Sequence, residues 1–119
     1  MSIFKKAENT MAFAKVGILG FAGSGKTRTG WEIIRGLYPA IGSKRPVCIL
    51  DTETGSDFLI PLAKQAKIEL AVSKTRAFKD LISGIREAET MSDILLIDSV
   101  SHFWVDLVES YKKKKNRIS

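Results

Sequence analysis

Eight residues near the N-terminus constrain the fold more strongly than any other part of the chain: Gly20-Phe21-Ala22-Gly23-Ser24-Gly25-Lys26-Thr27. The three glycines lack a β-carbon, so backbone N–H groups can converge on one anion. The lysine adds a mobile positive charge, and the threonine adds a hydroxyl that can ligate a metal ion. A helix that begins here presents its positive N-terminal end to the same anion. The segment therefore predicts a binding site for a phosphate chain.

This segment fits G-x-x-x-x-G-K-[ST], the phosphate-binding loop (Walker A motif) of P-loop NTPases. Lys26 is expected to reach the β- and γ-phosphates, and Thr27 is expected to ligate Mg²⁺. Arg28 either approaches the α-phosphate or is a solvated charge on the helix. The predicted cofactors are ATP and Mg²⁺, and the predicted nucleotide ligands are Gly20, Ala22, Gly23, Ser24, Gly25, Lys26, Thr27 and Arg28.

Apolar runs and amphipathic segments alternate along the rest of the chain. The apolar runs predict strands over residues 15–19, 46–51, 68–72 and 93–98. Helical spacing of apolar residues predicts helices over residues 27–37, 56–66, 75–89 and 100–115. This order predicts an α/β fold of the P-loop NTPase class, with about four parallel strands flanked by helices and joined by right-handed crossovers.

The length of 119 residues predicts one domain, and the net charge of +6 is concentrated at one end. We assign residues 1–14 to an N-terminal arm, 15–111 to the P-loop core and 112–119 to a basic C-terminal tail. The five lysines and arginines of the tail leave 14 basic and 13 acidic residues in 1–111, a net charge of +1 there. The tail is either a solvated helix end or a contact to nucleic-acid phosphates.

Two acidic positions follow predicted strands and are candidates for the chemistry. Asp98 ends a run of four apolar residues, as in a Walker B motif, and is expected to hold Mg²⁺ through water opposite Thr27; a helix-capping Asp would look the same. Many P-loop ATPases have a catalytic glutamate next, but this chain has Ser99. Glu53, after the second strand, is the candidate base that would polarise water. It could equally be a helix N-cap, a first-turn acid or a surface loop charge.

Asp51 is the last residue of the predicted strand that precedes the Glu53 loop, and its role is open. It either touches Mg²⁺ through water or a second substrate, or it caps its own loop. His102 is the only histidine, and we interpret it as a polar residue in the first turn of the last helix, in preference to a sensor of the γ-phosphate or of the DNA state. Trp31 and Trp104 are expected to pack in the core or at an interface rather than to stack on bases.

Three segments together resemble the RecA/RadA-like ATPases: the loop of residues 20–27, then Leu50-Asp51-Thr52-Glu53-Thr54-Gly55, then Leu95-Leu96-Ile97-Asp98-Ser99. The resemblance covers about residues 15–108 and implies that Glu53 is the catalytic glutamate. In that family an Asp-Ser pair ends the Walker B strand, as Asp98-Ser99 does in this sequence. The first segment and the Ser-His-Phe-Trp stretch after Asp98 also look like bacteriophage nucleotide-binding proteins, some of them linked to DNA recombination.

The sequence departs from this family after the Walker B segment. RecA-like cores continue with further strands and DNA-gripping loops, and one later strand lies between the Walker A and Walker B strands. That strand is missing from this sequence, so backbone groups on both neighbours would lack partners. We therefore expect an incomplete core, either a fragment or a half completed by a partner.

The leading hypothesis is a Mg²⁺-dependent ATPase that serves DNA recombination or replication and is phage-encoded, with Glu53 and Lys26 as catalytic residues. Its expected partners are ATP, single-stranded DNA, and further copies of itself or another protein. A small-molecule or nucleotide kinase and a non-catalytic nucleotide-binding module remain the alternatives. No apolar run approaches 18 residues, which predicts that the chain does not span a membrane. The single cysteine, Cys48, allows no internal disulfide and favours a reducing compartment, so we expect a cytoplasmic location, in the host cell for a phage protein.

Overall fold

The computed structural model describes residues 2–4, 6–7, 13–20 and 25–118. Within these residues helices and strands alternate from α1 to α4, as the sequence predicts for an α/β chain. The elements are α1 (Lys26–Ala40), β1 (Val47–Asp51), α2 (Ser56–Ala66), β2 (Leu70–Lys74), α3 (Phe78–Met91), β3 (Leu95–Asp98) and α4 (Val100–Ile118).

The three strands form one parallel sheet in the order β2-β1-β3. Val47 pairs with Leu70 of β2, and Cys48 pairs with Leu95 of β3. Every residue of β1 is buried, because this strand has a neighbour on each side and helices over both faces. The predicted fold class, a parallel α/β sheet flanked by helices, is confirmed.

The main core lies between the sheet and the first two helices. Residues of α1 and α2 meet one face of β1 in a single cluster: Trp31, Ile34, Val47, Ile49, Leu59, Ala63 and Ile68. Leu50 points to the opposite face, where Gly84 of α3 comes so close that a β-carbon would lie 2.8 Å from Leu50 Cδ2. Helix α4 packs against α3. The helices therefore pack on β1 from both faces of the sheet and fix the position of its C-terminal end.

The predicted first strand is the main departure from the prediction. Residues 13–20 form no strand, and Leu19 is fully exposed, with Val16 largely so. In the described part of the chain β3 pairs only with β1, so no strand lies beyond it to extend the sheet toward residues 15–19. An apolar run without a hydrogen-bonding neighbour cannot become a strand. The described sheet therefore has three strands instead of about four.

Several element boundaries also differ from the prediction by a few residues, and two of these differences have clear local reasons. Helix α1 continues through Pro39 to Ala40, because a proline in the last turn removes only one helical bond and the N–H of Ile41 still bonds to Leu37 O at 3.0 Å. Strand β2 starts at Leu70 instead of residue 68. Ile68 is used to close α2, where its N–H donates to Ala63 O at 2.9 Å and its side chain enters the core.

No helix in the described ranges is long and apolar enough to cross a membrane. The longest, α4, carries the lysine run 112–115 as part of its continuous helical length, with these side chains exposed. The predicted tail is therefore an extension of a core helix up to Ile118.

Adjacent isoleucines on α1 test the position of the core. Ile34 is 4 % exposed and Ile33 is 41 % exposed. We expect Ile34→Ala to lower the free energy of unfolding by about 2–4 kcal/mol, because it leaves a cavity in the cluster around β1. The matched control, Ile33→Ala, should cost under about 1 kcal/mol. Urea unfolding followed by circular dichroism measures both, and equal losses would contradict the described packing.

Candidate functional site

The site is assembled at the C-terminal edge of the sheet. Asp51 at the end of β1 is paired in register with Asp98 at the end of β3. In open parallel sheets the crevice outside these strand ends is where ligands bind. The parallel topology thus brings two acids, 47 positions apart in the chain, to one edge together with the loops that follow them.

The hydroxyl of Thr27 donates a hydrogen bond to Asp98 Oδ2 at 2.7 Å, across 71 positions of sequence. Thr27 is the second residue of α1, so this bond brings the N-terminal end of α1 to the end of β3. Gly55 borders the pair: a β-carbon there would lie 3.2 Å from Asp98 Oδ2 and 3.5 Å from Thr27 Oγ1. The structure thus joins the residues of the predicted Walker A and Walker B motifs.

The phosphate-binding loop is described only at its two ends. Phe21 to Ser24, with the predicted ligands Ala22, Gly23 and Ser24, lie outside the described residues. Gly20 is exposed and outside regular structure, and Gly25 has φ +89°, a conformation that glycine adopts without strain. Lys26 then begins α1, beside Thr27. The helix end, with its partial positive charge, lies at the same edge as the two acids.

Glu53 lies in the loop after β1, next to the end of β3. Its carboxylate Oε1 accepts a hydrogen bond from the hydroxyl of Ser99 at 3.3 Å, and the rest of the side chain is exposed. Ser99 directly follows Asp98. Glu53 and the Thr27–Asp98 pair are therefore brought to one place by residues adjacent in sequence.

Asp51 is buried and holds the loop that carries Glu53. Its Oδ1 accepts the N–H of Glu53 at 2.9 Å, and its Oδ2 accepts the N–H of Ser56 at 3.0 Å as well as the hydroxyl of Ser56. Burial by itself raises the pKa of Asp51, but the hydrogen bonds from Ser56, Glu53 and Thr54 outweigh it and hold that pKa below its ordinary value. Of the two roles left open, these contacts favour the loop cap.

Thr52 links the Glu53 loop to two further elements. Its N–H donates to Asp98 O at 2.7 Å, and its Oγ1 lies 2.7 Å from His102 Nδ1 on α4. On the other side, Arg76 Nε donates to Thr52 O at 2.9 Å from the segment between β2 and α3. The loop is thereby tied to both neighbouring strands.

A known protein family matches almost the whole chain. Residues 12–119 match the family described as an AAA domain. The chain belongs to this family. An AAA domain is a nucleotide-binding ATPase module, so the predicted P-loop class and nucleotide binding are confirmed at that level. No curated protein and no solved structure matches the chain.

The oxygen donors at the edge of this AAA domain fit Mg²⁺. This ion is usually held by one or two protein oxygens, with waters and substrate phosphates completing its shell. Thr27 and Asp98 supply a hydroxyl and a carboxylate at hydrogen-bonding distance, next to a helix N-terminus suited to phosphate. Among the described residues no group of three or more His, Cys, Asp or Glu side chains gathers to hold a metal by itself. A metal that shares its shell with nucleotide suits this donor set.

The remaining sequence candidates on the AAA domain are Arg28, Trp31 and Trp104. Arg28 pairs with Glu32 at 3.2 Å on the exposed side of α1, in line with a solvated helix charge. Trp31 is buried in the core as expected. Trp104 was expected in the core or at an interface. It is largely exposed on α4, so the prediction of a core position is wrong.

Sequence reasoning missed four residues of the site: Thr52, Gly55, Arg76 and His102 as a partner of Thr52. Gly55 and Thr52 lie in the segment that carries the resemblance, so their position could have drawn attention to them. Arg76 follows β2 with no pattern of its own. Its contact depends on how closely two loops approach.

Asp51 makes stability depend on pH in a defined direction. Its folded-state pKa is lower than the ordinary 3.8, so its contribution is present above pH 3.8 and is lost as the pH falls through the folded-state pKa. We expect Asp51→Asn to lower the free energy of unfolding by about 1–3 kcal/mol at pH 7, and by less at pH 3.

Urea unfolding at both pH values measures this difference. Asp57→Asn is the control, since this exposed carboxylate only pairs with Lys74 at the surface and should cost under about 1 kcal/mol. A loss for Asp51→Asn that is equal at pH 7 and pH 3 would contradict a stabilising carboxylate.

Proposed function

We propose that this AAA domain is a RecA-like, Mg²⁺-dependent ATPase that acts in DNA recombination or replication. The observation that carries the proposal is the hydrogen bond from the Thr27 hydroxyl to the Asp98 carboxylate. It joins the two motifs that P-loop enzymes use for the metal and the phosphates. The Ser99–Glu53 contact adds a base beside them.

Each residue then has a defined task in hydrolysis. The amides of the loop and Lys26 hold the phosphates and stabilise the negative charge that grows on them. Thr27 directly, and Asp98 through water, would hold Mg²⁺, and the bound ion would neutralise negative charge on the phosphates. Glu53 orients a water molecule and accepts its proton as the water oxygen bonds to the γ-phosphorus. The bond from that phosphorus to the bridging oxygen breaks, and ADP and phosphate leave.

The position of Glu53 supports its role as base over that of a loop charge. Ser99 occupies the place after Asp98 where many P-loop ATPases carry glutamate, and its hydroxyl contacts the Glu53 carboxylate instead. In the proposed site the glutamate would come from the loop after the neighbouring strand β1. This is the arrangement implied by the RecA-like resemblance of residues 50–55 and 95–99.

The part of the proposal that concerns DNA is supported by the resemblance and by charge. The three motifs are similar to recombinase-like ATPases, including bacteriophage proteins, which supports a phage origin. The end of α4 presents the exposed lysines 112–115, and such a run attracts nucleic-acid phosphates. We propose single-stranded DNA as the polymer bound, and further copies of the chain or a second protein as partners that complete the site.

Lys26 tests nucleotide binding. We expect Lys26→Ala to weaken ATP binding about 10- to 100-fold, because a charge-assisted contact to phosphate is lost. Equilibrium titration with a fluorescent ATP analogue and Mg²⁺ measures this, with circular dichroism as a check on folding. Lys44→Ala is the control, since Lys44 precedes β1 at the opposite edge of the sheet. Unchanged affinity in Lys26→Ala would contradict the assignment of the loop.

Glu53 tests hydrolysis. We expect Glu53→Gln to keep the affinity for ATP and to lower turnover about 10²- to 10⁴-fold, because an amide cannot accept the proton. Release of phosphate, with and without single-stranded DNA, is the measurement. Glu69→Gln, at the N-terminal side of β2, is the matched control.

The outcomes separate the alternatives. Stimulation by DNA in the wild type supports the DNA-linked ATPase. Full turnover in Glu53→Gln would move the base elsewhere. Tight binding without turnover in the wild type would favour a non-catalytic nucleotide-binding module.

A further inference from the structure

We propose that His102 is a positioning residue for Glu53, acting through Thr52 and Ser99. The inference rests on the proposed function, in which Glu53 activates water. It goes beyond that function because it gives a task to a side chain that binds neither phosphate nor metal.

His102 contacts the Glu53 loop from the first turn of α4. Its Nδ1 lies 2.7 Å from Thr52 Oγ1, across 50 positions of sequence. The ring is half-buried, and Thr52 is buried at the end of β1. Thr52 directly precedes Glu53. A helix that starts two residues after Asp98 is thereby connected to the loop of the neighbouring strand.

Three atoms lie within 3.1 Å of the Thr52 hydroxyl oxygen, and Ser99 O lies further away at 3.4 Å. Ser99 N–H donates to Thr52 Oγ1 at 2.8 Å, Asp98 O lies 3.1 Å from it, and His102 Nδ1 lies at 2.7 Å. A hydroxyl can donate one hydrogen bond and accept two. All three contacts are satisfied when Ser99 N–H and His102 Nδ1–H donate and the hydroxyl donates to Asp98 O. The ring thus completes the coordination of this hydroxyl and fixes its rotamer.

The same hydroxyl controls Ser99, which contacts Glu53. Ser99 N–H is held by Thr52 Oγ1, and Ser99 Oγ donates to Glu53 Oε1 at 3.3 Å. The Glu53 carboxylate is otherwise exposed, so this chain of contacts restrains its side chain. Loss of the imidazole frees Thr52 to rotate, and Ser99 and Glu53 then spread over more positions. Misplacement of a catalytic group by about 1 Å can cost about 10²-fold in rate.

Three substitutions at His102 separate a hydrogen-bonding role from a space-filling one. Asparagine can place its side-chain nitrogen where Nδ1 lies, because both atoms are bonded to Cγ. Glutamine places its nitrogen one bond further out, and leucine fills space without a donor. We expect His102→Leu and His102→Gln to lower kcat about tenfold or more, and His102→Asn to recover most of that loss. The Kd for ATP should be the same in all three, since among the described residues His102 hydrogen-bonds to Thr52 and not to Lys26 or Thr27.

A second measurement is independent of turnover. The chain contains one histidine, so its imidazole gives a single set of ring signals in nuclear magnetic resonance. Thr52→Val removes the hydroxyl and should shift these signals. The control is Thr90→Val on α3, where the hydroxyl donates to Glu87 O away from the site; it should leave them unchanged. The double variant Thr52→Val, His102→Leu should turn over no more slowly than the slower single variant, because both act on one contact.

The results that overturn this inference differ from those that overturn the proposed function. If Glu53→Gln stops hydrolysis while His102→Leu turns over like wild type, His102 has no positioning role and the ATPase assignment stands. Histidine ring signals that have the same chemical shifts in Thr52→Val as in the wild type would overturn the inference in the same way. Equal rates for His102→Asn and His102→Leu, both low, would indicate a role other than the Nδ1 hydrogen bond and would also overturn it. Absence of ATP hydrolysis in the wild type would remove the proposed function itself, whereas full turnover in Glu53→Gln would move the base elsewhere and remove the premise of this inference.

Discussion

The bond between the Thr27 hydroxyl and the Asp98 carboxylate is the contact on which the arrangement of the site depends. It exists because α1 packs on the same sheet whose edge strand ends at Asp98. The two residues are far apart in the sequence, so local structure alone does not bring them together. The core cluster around Trp31, Ile34 and Ile49 sets the depth at which α1 lies, and so the distance from its first turn to the strand ends. Hydrophobic burial in the interior therefore determines the distance between the Thr27 hydroxyl and the Asp98 carboxylate at the C-terminal edge of the sheet.

The loop after β1 carries an exposed side chain, Glu53, on a backbone that is held by buried residues. Asp51 organises the loop from within by accepting two backbone N–H groups, and Thr52 attaches it to β3. Glu53 is left at the surface with its backbone held on both sides. An exposed carboxylate is thus carried by a loop whose preceding residues, Asp51 and Thr52, are buried, an arrangement that favours preorganisation over flexibility.

The sequence allowed much of this to be predicted, and the failures have identifiable physical causes. Helix α2 was predicted within its observed bounds, because its apolar spacing and flanking glycine act locally. The meeting of Thr27 with Asp98 was expected from two motifs and the geometry of parallel sheets. The strand over residues 15–19 was wrong because an apolar run reveals nothing about whether a neighbouring strand is present. The contacts of His102 and Arg76 with Thr52 could not be predicted, since they depend on distances between loops of different elements.

Strand β1 carries the most buried part of the core and ends in the loop that carries Glu53. A single five-residue segment thus serves two demands that in many proteins are divided between a scaffold and the loops placed upon it. Any substitution that shifts Ile49 or Leu50 by a fraction of an ångström also shifts the loop beyond them. Selection for a firmer interior and selection for faster turnover act on the same few side chains, so this domain has little freedom to improve one property without altering the other.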